Sequence, residues 1–128
     1  MDLSVVCYDR NIHPRVRPHL ELFDSIVFYT WFADDLEHLE ENLSKLEQLV
    51  PGKRIRLGCY MWDFGGGKKP MPIEKMQMQC ELGLKWLKQG RIEDMIFLAT
   101  NLCDLNLETV EWTRRWIDKV GNEPLLSQ

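Results

Sequence analysis

The sequence predicts an α/β fold: four consecutive βα units whose strands form a parallel sheet. Three observations carry this reading. Four short runs rich in β-branched and aromatic residues, at 3–8, 25–31, 54–62 and 95–99, alternate with four helix-like stretches. The run at 25–31 is apolar on both faces, as a strand buried between layers is. Each strand is separated from the next by enough chain for a crossover helix, which parallel neighbours require.

The elements follow in order. The first run ends at Asp9. After His13 and Pro14 a short helix is expected, with Pro18 in its first turn and Leu20 and Phe23 on one face. Asp34 is the expected N-cap of an amphipathic helix carrying Leu36, Leu39, Leu43, Leu46 and Val50, stopped by Pro51 and Gly52. The third run leads into Asp63, and a Gly-Gly-Gly-Lys-Lys-Pro loop at 65–70 connects it to a helix starting near Pro72. That helix turns Ile73, Met76, Cys80, Leu84 and Leu87 inward and ends at Gly90. After the fourth strand a loop runs to Asn106. The last helix sets Leu107, Val110, Ile117 and Val120 along one stripe and stops at Gly121. A single (βα)4 domain over 1–121 is expected, with a tail at 122–128 that frays.

Composition excludes several classes. With 45% hydrophobic and 28% charged residues the chain is that of a globular protein and not a disordered one. A formal charge of −4 leaves no basic face to neutralise phosphates, so nucleic acid is not an expected partner. No apolar run approaches the roughly 18 residues of a membrane helix. The start, Met1-Asp2-Leu3-Ser4, lacks the plan of a signal peptide, so the chain as written reads as cytoplasmic, a reading that a missing upstream segment would change. Cys7, Cys59, Cys80 and Cys103 form no CxxC pair and have no histidine ladder beside them. Buried reduced thiols are expected, with no metal and no cofactor.

Four βα units are half of an eight-stranded TIM-type barrel, whose usual size is about 250 residues. The alternative is a small doubly wound sheet with two helices on each face. A half-barrel leaves one sheet face without helices and two open edges, and it calls for a homodimer or a missing N-terminal half. A faint internal repeat fits this picture. Cys7-Tyr8 precedes Asp9, and Cys59-Tyr60 precedes Asp63, with cysteine and acid on one face in each case.

Both architectures bind ligands beyond the carboxyl ends of the strands. Here those ends carry Tyr8 and Asp9, Thr30 and Trp31, then Tyr60, Trp62, Asp63 and Phe64, and last Thr100 and Asn101. Aromatics beside acids suit carbohydrate, whose C–H faces stack on rings while carboxylates bind hydroxyls or act in glycoside cleavage. Asp63 is the first candidate for nucleophile or general acid and Asp9 the second carboxylate. Tyr8, Trp31, Tyr60, Trp62 and Asn101 are the candidate binding residues. Each has a plainer reading: an aspartate after a strand commonly caps a helix or turns a loop, and a tryptophan there commonly belongs to the core rim.

Other features are weaker. Trp86, Trp112 and Trp116 fall on helices as packing residues. The glycine-lysine loop invites a phosphate, but its spacing is not that of a P-loop and Pro70 and Pro72 remove donors, so a lid or connector is the plainer reading. His13, His19 and His38 form no triad, and GxSxG is absent. Asp34, Asp35, Glu37, Glu40 and Glu41 read as a solvated helix start, with Lys45 following Glu41 at i+4.

Several stretches together carry a resemblance. Leu57-Gly58-Cys59-Tyr60-Met61-Trp62-Asp63-Phe64, Lys69-Pro70-Met71-Pro72 and Gln79-Cys80-Glu81-Leu82-Gly83-Leu84 are similar to the C-terminal half of glycoside-hydrolase-like (β/α)8-barrel proteins. Residues 92–98 and Val110-Glu111-Trp112-Thr113 extend the likeness. The resemblance implies that these are the last four strands of eight and that the chain binds or cleaves carbohydrate. Many such enzymes place one carboxylate in each half, so Asp63 would lack its partner in an unpaired chain. The alternatives are a non-catalytic carbohydrate-binding or assembly module, and a phosphosugar-binding α/β enzyme.

Overall fold

A computed structural model describes residues 1–65, 68–98 and 107–125. Strand β1 (Ser4–Tyr8) leads through two 3-10 turns, Asp9–Asn11 and Pro14–Val16, into the one-turn helix α1 (Arg17–Leu20). Strand β2 (Ser25–Tyr29) follows, then a 3-10 segment (Ala33–His38) that runs into α2 (Leu39–Leu49). Strand β3 (Arg54–Tyr60) precedes two short strands, β4 (Trp62–Asp63) and β5 (Lys69–Pro70), and then α3 (Ile73–Gln89). Strand β6 (Met95–Leu98) and α4 (Glu108–Val120) complete the order.

The fold is α/β. Strands β1, β2, β3 and β6 form one parallel sheet in the order of the chain, with no reversal. Successive right-handed crossovers that always step the same way deliver their helices to one face. The contacts agree. A Cβ on Gly83 of α3 would overlap the Met95 side chain and lie 3.1 Å from Leu57, so α3 sits directly on these two residues. Trp116 of α4 meets Phe97 edge to face at 6.3 Å. Leu57, Met95 and Phe97 share a face with the buried Cys7, Ile26, Phe28, Ile55 and Cys59. This is the side on which the helices pack.

The opposite face carries Val6, Tyr8, Val27, Tyr29, Arg56, Gly58, Tyr60, Ile96 and Leu98. Its burial falls off toward the edge. Val27 on the inner strand is 7% exposed and Val6 on the edge strand 48%. Along its amino end Arg54 pairs with Asp2 at 2.7 Å and with Glu93 at 3.0 Å, and Arg56 with Asp94 at 2.8 Å.

The second helical stretch matches its expected core: Leu36, Leu39, Leu43, Leu46 and Val50 are all buried. Its start differs. The 3-10 segment begins at Ala33, no local side chain caps it, and α-helix proper begins only at Leu39, so Asp34 is not the cap. The acceptor for the Ala33 N–H comes from a distant residue, Asp63.

The third strand stops at Tyr60, where an unbroken run to residue 62 was expected. Met61 still donates to Leu98 O at 3.1 Å, but its own carbonyl turns to accept from Met71 N at 3.0 Å. The chain thereby leaves the sheet, and Trp62 and Asp63 pair antiparallel with Pro70 and Lys69. The glycine-lysine loop therefore closes on a two-residue hairpin ladder; Gly66 and Gly67 lie outside the described residues.

In α3 the buried set is Met76, Gln79, Cys80, Gly83 and Trp86, while Ile73, Leu84 and Leu87 are half-buried. The shift follows from Gly83, which lets the helix lie against the sheet, and from Gln79, whose Nε2 donates to Tyr60 O at 3.4 Å. Gly90 ends the helix in the left-handed conformation, φ 75°. In α4 the expected stripe is corrected: Ile117 is exposed, and Thr109, Val110 and Thr113 are buried. The threonines tolerate burial because their hydroxyls are bonded, Thr109 Oγ1 donating to Met71 O and Thr113 Oγ1 to Thr109 O at 2.8 Å. Ala99 and the loop to Asn106 lie outside the described residues, as does the tail from Leu126 on.

Candidate functional site

The carboxyl ends of β1, β2 and β3 gather the three tyrosines of the chain on the face opposite the one that α3 and α4 contact. Tyr29 lies between the other two, its ring centroid 6.4 Å from that of Tyr8 and 4.6 Å from that of Tyr60. Tyr60 Oη donates to Tyr8 Oη at 3.4 Å. Gly58 makes this possible. A Cβ there would overlap the Tyr29 ring, so the absent side chain is the space in which the ring lies. Burial, above all, pushes the phenols of Tyr29 and Tyr60 above their ordinary range, with the neighbouring Tyr8 adding to both. They remain neutral hydroxyls.

Above this floor stand Trp31 and Phe64. Trp31 stacks on Tyr8 at 5.2 Å and 24° and approaches Phe64 at 6.5 Å. Phe64 in turn meets Tyr60 edge on at 5.0 Å. Trp31 is 40% exposed and Phe64 42%, although both sit among aromatic rings. Two large rings held by packing yet open on one side form a platform.

Both predicted acids hold backbone. Asp63 is buried, and its Oδ1 accepts from Ala33 N at 3.1 Å and from Gly65 N at 2.8 Å. It thus caps the 3-10 segment from across the sheet and fixes the turn that presents Phe64. Asp9 Oδ1 accepts from Trp31 N at 3.3 Å. Burial raises the Asp9 carboxyl above its ordinary range; the Trp31 N–H opposes this, and Asp35 beside it raises it further. Asp35 takes two hydrogen bonds from Arg10, at 3.0 and 3.2 Å, and Arg10 lies over the Phe32 ring at 4.1 Å. A cavity of about 370 Å³ lies outside this group, lined by Asp9, Arg10, Asp35 and His38 among others.

The structure therefore brings Tyr8, Trp31 and Tyr60 together and sets Asp9 and Asp63 beneath the segment that carries Trp31. Trp62 lies apart, half-buried on β4 opposite Pro70. Thr100 and Asn101 lie outside the described residues. Sequence reading missed Tyr29, which strand alternation places between Tyr8 and Tyr60 once the register is known. It also missed Asp35, assigned to a solvated helix face, because its proximity to Asp9 spans a whole crossover and strand β2.

Cys7, Cys59 and Cys80 are buried free thiols. Burial pushes Cys7 up to about 11 and Cys80 to about 12, and Cys59 well above its ordinary value. Cys103 lies outside the described residues. Among the described residues no group of three or more metal-binding side chains is assembled, and no helix is long and apolar enough to cross a membrane. Comparison with protein-family models, with curated proteins and with solved structures finds no match.

Proposed function

We propose that this chain is a half-barrel that binds carbohydrate at the carboxyl ends of its strands, with Trp31 and Phe64 as the stacking platform. The observation that carries the reading is the exposure of these two rings within an otherwise packed aromatic cluster. A sugar presents an apolar C–H face to such rings, and its hydroxyls find donors and acceptors close by in Tyr8, Tyr60 and Asp9. The strand order without reversal and the helix contacts on one face support the half-barrel.

Binding is favoured over cleavage for Asp63, because its Oδ1 already serves two backbone N–H groups and the residue is buried. One observation favours a second reading, glycoside cleavage with Asp9 as acid. Burial, and after it Asp35, raise its carboxyl above the ordinary range, the direction in which a general acid is tuned. Titration calorimetry against a panel of neutral and amino oligosaccharides tests both. Binding that Trp31→Ala abolishes, without turnover, supports the binding reading. Turnover that Asp9→Asn removes supports cleavage, and no binding by any member of the panel overturns both.

A further inference from the structure

We propose that Arg10 is the positioning residue of the platform, and that its exposed clamp on Phe32 and Asp35 makes binding at Trp31 sensitive to ionic strength. The proposal rests on the carbohydrate-binding reading above and adds the residue through which that site is regulated.

Arg10 stands in the 3-10 turn after β1, which Asn11 ties down by accepting from Tyr8 N at 3.3 Å. From there its side chain reaches across to the segment that leaves β2. The guanidinium lies over the Phe32 ring, 4.1 Å from the centroid. It also donates twice to Asp35 Oδ2, from Nε at 3.2 Å and from Nη2 at 3.0 Å. Phe32 and Asp35 are the two ends of one turn, closed by Asp35 N donating to Phe32 O at 3.0 Å. One planar group thus grips both ends, with its face on a ring and its edge on a carboxylate. A guanidinium fits that pair of contacts and an ammonium does not.

The gripped turn follows Trp31 directly. Phe32 lies 5.8 Å from the Trp31 ring, so it is a packing neighbour of the platform, as Tyr8 is at 5.2 Å. The tie from Trp31 N to Asp9 is long, at 3.3 Å. Where Phe32 sits therefore helps to decide where the Trp31 ring sits, and Arg10 decides where Phe32 sits.

Charge adds a second link. Asp35 lies beside Asp9 and raises its carboxyl, whereas Arg10 lowers it. Among the described residues Arg10 is the cation paired with Asp35. His38, Glu41 and Lys45 also line the cavity outside, but Glu41 engages both of the others, at 3.4 and 3.1 Å. Loss of Arg10 thus frees the turn and leaves Asp35 uncompensated against Asp9, the group that accepts from Trp31 N.

The clamp lies where salt reaches it. The side chains of Arg10 and Asp35 are 55% and 29% exposed, so dissolved ions screen their attraction. A ring held in its binding position for only part of the time binds in proportion to that fraction. Exposed contacts of these two kinds are individually weak, and losing the clamp should weaken binding about two- to fivefold.

The indole ¹H–¹⁵N cross-peak of Trp31 tests this, first without ligand. In Arg10→Gln it should shift and broaden while the peak of the buried Trp86 stays still. Raising sodium chloride from about 0.01 M to about 1 M should move the parent's Trp31 peak toward its Arg10→Gln position and leave the variant's in place. Arg10→Lys should recover part of the shift, since it keeps the charge and loses the planar fork. Arg10→Gln combined with Asp35→Asn should match Arg10→Gln alone, because both break one clamp. Calorimetry with cellohexaose and chitohexaose, both uncharged, then reads affinity. Binding should weaken about two- to fivefold in Arg10→Gln and in high salt, although neither sugar carries a charge. A Trp31 peak that neither Arg10→Gln nor salt moves overturns the proposal, as does equal affinity of parent and variant for a sugar that binds. A moved peak with no binding by any oligosaccharide keeps the positioning role and removes the carbohydrate reading.

Discussion

Asp9 and Asp63 hold one short segment from the two strands that flank it. Asp9, following β1, accepts the Trp31 N–H at 3.3 Å, and Asp63, following β3, accepts the Ala33 N–H at 3.1 Å. The segment between them leaves β2 and carries the exposed ring of Trp31. Two carboxylates thereby fix the backbone on which the platform stands, and side-chain packing against Tyr8 fixes its ring.

Removing Asp63 should therefore cost stability first. Asp63→Ala leaves the N–H groups of Ala33 and Gly65 without their acceptor, and a loss of about 2–3 kcal/mol is expected in urea unfolding. Asp63→Asn keeps an amide oxygen in place and should cost less than half as much. Equal losses for the two variants would show that the charge, and not the acceptor, holds the segment.

Asp9 should respond to pH with the opposite sign to a salt-bridged carboxylate. Its folded carboxyl is raised, mainly by burial, so the native chain binds a proton more readily than the unfolded one. Stability is then gained as pH falls through the raised value and lost as pH rises through it. Asp9→Asn, which keeps an acceptor for Trp31 N, should be more stable than the parent at about pH 7. The difference should close as pH falls toward the ordinary carboxyl range. Thermal melts at a series of pH values check this, and a parent more stable than the variant at neutrality would contradict it.

Gly58 and Tyr29 should behave as a coupled pair. Gly58→Ala drives a methyl into the Tyr29 ring and should destabilise by about 1–3 kcal/mol. Pairing it with Tyr29→Val, which vacates that space, should recover much of the loss. A double-mutant cycle measures the coupling, and additive effects would show that the ring moves aside freely.

The thiols of Cys7, Cys59 and Cys80 should resist modification in the native state. Each is buried and its ionisation is suppressed, and the thiolate is the reactive form. Reaction with an aromatic disulfide reagent should be slow for these three in buffer and rapid in denaturant. Fast native labelling of Cys59, which is fully buried, would contradict the packing of α3 on β3.

What sequence made legible followed from local periodicity. The four main strands, the buried leucines of α2 with Leu36 before it and Val50 after it, and the stop at Gly90 are set by alternation, helical spacing and a left-handed glycine, all readable from local sequence. What was not legible depends on distant neighbours. Asp34 looked like a cap because it stands before a helical pattern; the acceptor is Asp63, thirty residues on, placed by a hairpin too short to give a strand signal. Ile117 looked like core by spacing, yet α4 turns the hydroxyls of Thr109 and Thr113 inward because carbonyls await them. At the site, Trp31 and Tyr60 were readable as strand-end aromatics. Their assembly with Tyr29 depends on the register that sets Tyr29 opposite Gly58, and register is a property of two strands.

The most direct test of the carbohydrate reading is a ¹H–¹⁵N spectrum of the indole groups during titration with oligosaccharide. The chain has five tryptophans, so the cross-peak absent from a Trp31→Phe variant identifies Trp31. This peak should shift and saturate while that of the buried Trp86 stays still. No movement at Trp31, or movement confined to Trp112 and Trp116 on the outer helix, would contradict it.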